Sequence, residues 1–450
     1  MRLSLVSGLP LLGAVQAAVS TVSTYGNKFF YENGTQFFLK GVAYQLTSDD
    51  PLIDSAQCKR DAALMQELGA NSIRVYHVDA SSDHSDCMST FADAGIYLLV
   101  DLDTFGTYIL PTTPWWNQTQ YERFTAVMDE FQQYDNTLGT MKFFVGNEVI
   151  AQASQSLAAP FIKAAARDMK TYRDAKGYRQ IPVGYSAADI AELRPMLQDY
   201  LTCGGNSSNN VDFFSLNSYE WCGSSATYST SGYSNLESEA VNFPVPIFFS
   251  ETGCNTVQPR TFGDQAAIFG DEMANDWSGA IIYEWIQETN NYGLVSYGPQ
   301  VSATATGSNI VDGFTRAGTP TPVSPDFSNL KSQWATLTPT GVKSSDVDTK
   351  TLSTRSCPAS STGTAAWLVN GDVQLPTVGE TLYGTTYTTS VPSGSLISNG
   401  ASASATATGT DASASASSTS DSKSPATPSS QVTKMTAGLL GVMLVFTLLL

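Results

Sequence analysis

Lys142-Phe-Phe-Val-Gly-Asn-Glu148 is a short apolar run that stops at a carboxylate. A run of this length, bounded by turn residues, predicts a strand buried on both faces of a parallel sheet. Pro246-Ile-Phe-Phe-Ser-Glu251 repeats the pattern and also ends on a glutamate. Working outward, eight runs read as strands: Phe37–Gln45, Ser72–Val78, Ile96–Leu102, Met141–Glu148, Ile181–Ser186, Val211–Tyr219, Val245–Glu251 and Gly279–Trp285. Helical periodicity falls between them, at Asp54–Leu68, Ser85–Ala94, Phe124–Tyr134, Pro160–Lys176, Glu192–Leu201 and Gly263–Trp277. Gly69 and Gly95 stand where helix C-caps are expected.

Eight strands alternating with helices predict an α/β fold, a (β/α)8 barrel. An open doubly wound sheet is the alternative. It would carry a glycine-rich turn after the first strand, and Gly41-Val-Ala-Tyr-Gln45 is not one. On the barrel, Glu148 ends the fourth strand and Glu251 the seventh, both at the face where barrel chemistry sits.

Composition divides the 450 residues. Residues 1–17 start with one positive charge, continue apolar and reach Val15-Gln-Ala17, which reads as a secretory signal peptide. Residues 18–340 hold the barrel. Residues 341–425 are dominated by Ser, Thr, Ala, Gly and Pro and read as a disordered, O-glycosylated stalk. Residues 426–450 end in an uncharged apolar tail, the pattern of a GPI-attachment propeptide. A tail-anchoring helix is the alternative, but the apolar run is shorter than the ~20 residues a span needs.

A formal charge of −18 excludes the basic footprint that nucleic acid requires. The two histidines, His77 and His84, form no His-x-x-x-His pair, so no metal is expected. Six cysteines in a secreted chain suggest three disulfides, with pairing open on spacing alone. Asn33, Asn117 and Asn206 lie in N-glycosylation sequons.

Two carboxyls at strand ends are the minimum equipment for breaking a glycosidic bond. About 5–5.5 Å apart, they cannot both ionise easily, so one serves as nucleophile and the other as acid. We assign Glu148 as acid/base and Glu251 as nucleophile, against the plainer reading of each as half of an ion pair. Tyr44, Tyr76, Tyr219, Trp221, Tyr283, Trp285 and Tyr292 lie at or beyond predicted strand ends, where rings can stack on sugar faces. Some would be core residues, Trp285 first among them.

Several blocks carry a resemblance. Gly146-Asn-Glu148-Val, Val183-Gly-Tyr-Ser-Ala-Ala-Asp189, Asp212-Phe-Phe-Ser-Leu-Asn217-Ser-Tyr219-Glu-Trp-Cys222, Phe249-Ser-Glu251-Thr-Gly-Cys254-Asn255 and Asn290-Asn-Tyr-Gly-Leu-Val stand in order. From about Gly26 to Asp326 the chain resembles the fungal GPI-anchored β-1,3-glucanosyltransferases of the Gas/Gel/Phr type, in a form without the cysteine-rich carbohydrate-binding module. The resemblance implies a retaining enzyme that cleaves an internal β-1,3-glucan linkage and transfers the new reducing end to another chain. It implies no cofactor, glucan donor and acceptor chains as partners, a monomer, and a GPI lipid at the outer face of the plasma membrane or in the wall.

Residue by residue, it implies that Asn147 bonds a sugar hydroxyl beside the acid. Tyr76 and Tyr283 would contact the donor, with Tyr283 bonded to the nucleophile, Gln45 would line the cleft, and Asn217 and Tyr219 would bind substrate. Asp189 and Arg194 would serve the acceptor, although they read equally as a loop salt bridge. The pattern pairs Cys58 with Cys87, Cys222 with Cys254 and Cys203 with Cys357. Thr252 after the nucleophile and the turn Asp101-Leu-Asp-Thr-Phe-Gly depart from it, leaving subsite lengths open. An endo-β-1,3-glucanase on the same fold is the nearest rival, and a non-catalytic wall glucan-binding mannoprotein a more distant one.

Overall fold

The structure is a computed structural model that describes residues 19–45, 50–104, 106–137, 142–352, 355–363 and 365–383. The expected signal peptide, most of the expected stalk and the expected anchor segment lie outside these residues.

Eight parallel strands close into a barrel in chain order: β1 (Leu39–Ala43), β2 (Ser72–Val75), β3 (Tyr97–Asp101), β4 (Phe143–Asn147), β5 (Val183–Ala188), β6 (Phe213–Asn217), β7 (Ile247–Thr252) and β8 (Trp277–Ile282). The pairs Gly279 with Leu39 and Ile282 with Val42 close β8 onto β1. Gly279 has φ 111 and packs against the Leu39 backbone, where a Cβ would stand 2.2 Å from the carbonyl oxygen. A glycine is required at this seam.

Strand residues alternate between two layers. Leu39, Tyr97, Leu99, Phe144, Phe213, Phe248 and Ile281 fill the barrel interior. Val42, Leu98, Val100, Phe143, Val145, Phe214, Phe249 and Ile282 face the helices. That double burial is why the strands read as mainly apolar runs. An antiparallel meander of Val22–Tyr25, Lys28–Tyr31 and Gln36–Phe37 precedes β1. Its Phe29 reaches Phe248 and its Phe37 reaches Tyr97, so it plugs the N-terminal end of the barrel.

Among the described residues the helices are α1 (Ser55–Leu68), α2 (Ser85–Asp93), α3 (Gln118–Phe131), α4 (Ala159–Ala175), α5 (Arg194–Thr202), α6 (Tyr233–Ala240), α7 (Asp264–Ile268) and α8 (Asp326–Thr336). Asp54 caps α1 through the Gln57 N–H, and Gly69 ends it in the left-handed region. The third helix starts six residues before the expected Phe124, because Asn117 and Gln120 form a reciprocal capping box.

The expected helix Gly263–Trp277 is a correction. Only Asp264–Ile268 is helical, and Trp277 opens β8 instead, stacked on Phe249 at 4.3 Å. Helical periodicity was misread where a short helix and a turn run into a buried strand. Two helices, α6 and α8, were not anticipated. Gly232 and Pro325, residues that read as turn signals, stand at their starts.

Disulfides join Cys58 to Cys87, Cys203 to Cys357 and Cys222 to Cys254. The first links α1 to α2, and the third links the loops after β6 and β7. The packed unit extends past residue 340. Trp367 is buried against Tyr200 at 5.6 Å, and Val369 is buried too. Further along, Arg167 donates to the Pro376 carbonyl (2.7 Å) and the Gly379 N–H to the Trp116 carbonyl (2.8 Å). This strap carries enough large apolar side chains to pack, although its average composition resembles the stalk.

Candidate active site

Arg74 is the centre of the site. It replaces an apolar residue inside β2 and is fully buried. Strand parity sends it to the barrel interior, where Asp101 meets it with two hydrogen bonds, Nε–Oδ1 at 3.1 Å and Nη2–Oδ2 at 2.9 Å. Its remaining N–H groups reach Asn147 Oδ1 (3.0 Å), Ser186 Oγ (3.2 Å), the Ser250 carbonyl (3.3 Å) and Glu251 Oε1 (3.4 Å). Tyr76 and Phe144 cover its two sides, each ring centroid 4.4 Å from the guanidinium carbon. A buried cation is tolerable only when so fully paired.

Backbone irregularity aims the two glutamates. The β7 ladder shifts register between Phe249 and Glu251, and the β4 ladder shifts between Phe144 and Asn147. A bulge turns the next side chain away from the face that simple alternation would give it. Glu148 follows at φ 49, the left-handed region that a non-glycine residue rarely occupies.

Glu251 accepts from Tyr219 OH (2.7 Å), Tyr76 OH (3.1 Å) and Arg74 Nη1 (3.4 Å). Glu148 accepts from Asn217 Nδ2 at 2.8 Å. Asn217 Nδ2 also donates to Asn147 Oδ1 (3.0 Å), and Asn217 Oδ1 accepts from Ser186 and Ser250 at 2.9 and 2.8 Å. One continuous network therefore ties both carboxyls to Arg74. Burial pushes the Glu251 carboxyl up to about 7. Arg74 opposes the rise, the Glu148 charge adds to it, and the Tyr219 and Tyr76 hydroxyls oppose it. Burial raises Glu148 as well, against Asn217 and Arg74. Burial and the Glu251 charge also raise both tyrosines, which keeps them protonated as donors. Two buried carboxyls in one field hold a single proton more readily than none or two. Such a pair can protonate a leaving oxygen and attack a carbon in one step.

The other expected residues divide. Gln45 Oε1 accepts from the Tyr76 and His77 N–H groups at 3.0 and 3.2 Å, which sets the position of Tyr76. Tyr283 is corrected in one respect. Among the described residues the donors to Glu251 are Tyr76, Tyr219 and Arg74, while Tyr283 meets Tyr219 and Tyr292 edge-on at 6.4 and 5.4 Å. Asp189 and Arg194 form a buried ion pair, and Arg194 Nε also bonds Glu239 Oε2 at 2.9 Å. Tyr44 and Trp285 are core residues: Tyr44 donates to Asp61 at 2.8 Å and Trp285 Nε1 to Tyr297 OH at 2.9 Å. Of the sequon asparagines, Asn33 and Asn206 are exposed and Asn117 is half-buried.

Arg74, Asp101, Ser186 and Ser250 were missed. A charged residue within or ending a mainly apolar run was the available signal for Arg74 and Asp101. Arg260 was missed too. It is buried, pairs with Asp326 (Nε–Oδ2 2.7 Å), and donates to the carbonyls of Tyr283 (3.0 Å) and Tyr292 (2.7 Å).

Residues 12–311 match the family profile described as Glucanosyltransferase. The chain is 42% identical over 368 residues to 1,3-beta-glucanosyltransferase gas1 of Schizosaccharomyces pombe, covering 80% of this chain and 63% of that protein. It is 42% identical over 363 residues to Protein EPD1 of Candida maltosa, covering 79% of this chain and 61% of that protein. The chain thus spans less than two thirds of the length of these relatives. Saccharomyces cerevisiae Gas2p, solved with laminaritriose and laminaritetraose, superposes with a TM-score of 0.70 at 36% identity, over 80% of this chain and 78% of that one.

Proposed function

From the premise that this chain belongs to the glucanosyltransferase family, we propose that it is a retaining β-1,3-glucanosyltransferase. It cuts an internal linkage of a β-1,3-glucan and joins the new reducing end to the non-reducing end of a second glucan. The observation that carries this reading is the pair Glu148 and Glu251, joined through Asn217, Asn147 and Arg74.

Among the described residues the donors are unequal, three on Glu251 and one on Glu148. Hydrogen bonds to a carboxylate favour its charged form, and in this reading they outweigh the burial that raises Glu251, so the shared proton belongs on Glu148 and the negative charge on Glu251. Glu251 then attacks the anomeric carbon while Glu148 protonates the departing 3-oxygen, and the reducing-end fragment leaves. Glu148, now a carboxylate, takes the proton of an incoming 3-hydroxyl, which displaces Glu251 from the sugar. Asn147 and Asn217, beside the acid, contact sugar hydroxyls. Tyr76, Tyr219 and Tyr283 wall the donor side. The Asp189–Arg194 pair borders the acceptor side, and Gln45 acts through Tyr76. Secretion, a GPI lipid at the outer face of the plasma membrane or in the wall, and a monomeric state complete the proposal.

Purified protein incubated with a reduced laminari-oligosaccharide should give products longer than the input. Shorter products alone would mean an endo-β-1,3-glucanase. Glu148→Gln and Glu251→Gln should each lower transfer by about 10²–10⁴-fold or more. Full activity in either variant would remove that carboxyl from the mechanism. Release of the protein from cells by a phosphatidylinositol-specific phospholipase tests the anchor.

A further inference from the structure

On the outer wall of the barrel the strap borders a solvent-open cavity of about 370 Å³, lined by Gln118 and Tyr121 of α3, Arg167, Asp168 and Thr171 of α4, and Thr377 and Val378 of the strap. None of these residues belongs to the catalytic network. The volume lies within the ~300–1,000 Å³ of small-molecule sites. One half-buried ring beside an ion pair, an amide and a hydroxyl suits a saccharide better than an apolar ligand.

The chain supplies a candidate occupant at the rim. Asn117, in the sequon Asn117-Gln-Thr, is the N-cap of α3. Its Oδ1 accepts from the Gln120 N–H at 3.1 Å and its backbone N–H donates to Gln120 Oε1 at 2.9 Å. Capping therefore uses the carbonyl oxygen of the side chain and leaves to Nδ2 the role of carrying a sugar. Asn117 and Tyr121 are four residues apart, so they share one face of α3. The preceding carbonyl, that of Trp116, already holds the strap through Gly379, and Trp116 Nε1 donates to Asp168 at 2.9 Å.

We infer that Asn117 carries an N-linked glycan whose first N-acetylhexosamine occupies this cavity and fastens the strap to α3 and α4. In the transfer, a lipid pyrophosphate-linked oligosaccharide gives up its anomeric C–O bond. The C1–Nδ2 bond forms, the amide nitrogen loses one proton, and the lipid pyrophosphate leaves. The three disulfides mark the oxidising secretory route on which such a donor is met. The apolar face of the sugar lies on Tyr121, and its hydroxyls and acetamido group bond Asp168, Gln118 and Thr377. The sugar then adds to the Arg167–Pro376 and Gly379–Trp116 bonds that resist local opening of the strap.

The test uses the full chain secreted from a eukaryotic host. Mass spectrometry of the Asn117 peptide should show a glycan, and an unmodified peptide overturns the inference. Thr119→Ala removes the sequon while leaving the cap untouched, since Thr119 is exposed and outside the capping box. Hydrogen exchange at residues 374–379 should then quicken several-fold, with transfer activity on short oligosaccharides unchanged. Endoglycosidase trimming to a single sugar should preserve the slow exchange, and complete removal of the glycan should abolish it. Tyr121→Ala with the glycan retained should quicken exchange, whereas Tyr121→Phe should not. Equal strap exchange in Thr119→Ala and the parent overturns the docking, even if Asn117 is glycosylated.

Discussion

Tyr219 and Tyr76 do at Glu251 what one neighbour does at Glu148: they donate to a buried oxygen that burial would otherwise leave neutral. Removing a donor should therefore raise the Glu251 carboxyl above its already raised value of about 7. The acid limb of the transfer rate should move to higher pH in Tyr219→Phe, and less in Tyr76→Phe, whose bond is longer. An unmoved limb in a pH–rate profile would mean that these hydroxyls hold only sugar. Arg260 acts at one remove. Its bonds to the Tyr283 and Tyr292 carbonyls and to Asp326 fix the two rings beside Glu251. Arg260→Lys keeps the charge but loses the fork. It should raise KM more than it lowers kcat, because the rings bind substrate and the carboxyls stay in place. An equal fall in kcat would instead place Arg260 in the support of the chemistry itself.

At the level of the strand, β4 begins beside a residue that no functional argument explains. Lys142 is fully buried, its Nζ lies 3.3 Å from the Phe29 ring centroid, and it has no hydrogen-bond partner among the described residues. Burial holds its amine well below the usual lysine range. Lys142→Met should stabilise the fold by about 1–3 kcal/mol, the penalty of an unpaired buried polar group. The unfolded chain protonates this lysine and the native one resists it, so the gain should grow as pH falls. Urea melts at pH 6 and pH 9 would show it, and a destabilised variant would mean that the ammonium–ring contact outweighs desolvation. The register shifts in β4 and β7 belong to the same scale. They re-aim Asn147 and Glu251, and nothing in an apolar run announces a bulge.

At the scale of the whole molecule, several carboxyls of the described residues are shifted upward by burial. Burial raises Asp61 and Asp264 to about 6, Glu251 to about 7 and Glu237 to about 8. Each binds its proton more tightly folded than unfolded, so its native charge is a cost that vanishes as pH falls from about 8 towards 4. His84, held between Asp50 (2.6 Å) and Glu130 (2.8 Å), is raised by those partners against burial. Its stabilisation is present at low pH and fades as pH rises through its native value, the same direction. The melting temperature should therefore be higher at pH 5 than at pH 8 by roughly 5 °C or more. A flat or reversed profile would mean that the buried amine of Lys142, which costs stability as pH falls, dominates.

The sequence by itself determined the barrel and its two glutamates. Doubly buried parallel strands are mainly apolar, so runs such as Phe143–Val145 and Ile247–Phe249 are visible without any partner. A carboxylate ending such a run is conspicuous for the same reason. The tertiary structure decided what the runs conceal. Arg74 and Asp101 meet only because neighbouring strands share a register, and the bulges turn Asn147 and Glu251 towards them. Whether Asp189 finds Arg194, whether Trp277 joins a helix or a strand, and whether Trp367 lies in solvent or on Tyr200 were settled across the fold. Local pattern reports how much of a segment must be buried. Only closure of the barrel specifies which side chain stands opposite, and therefore which charges and protons are shared.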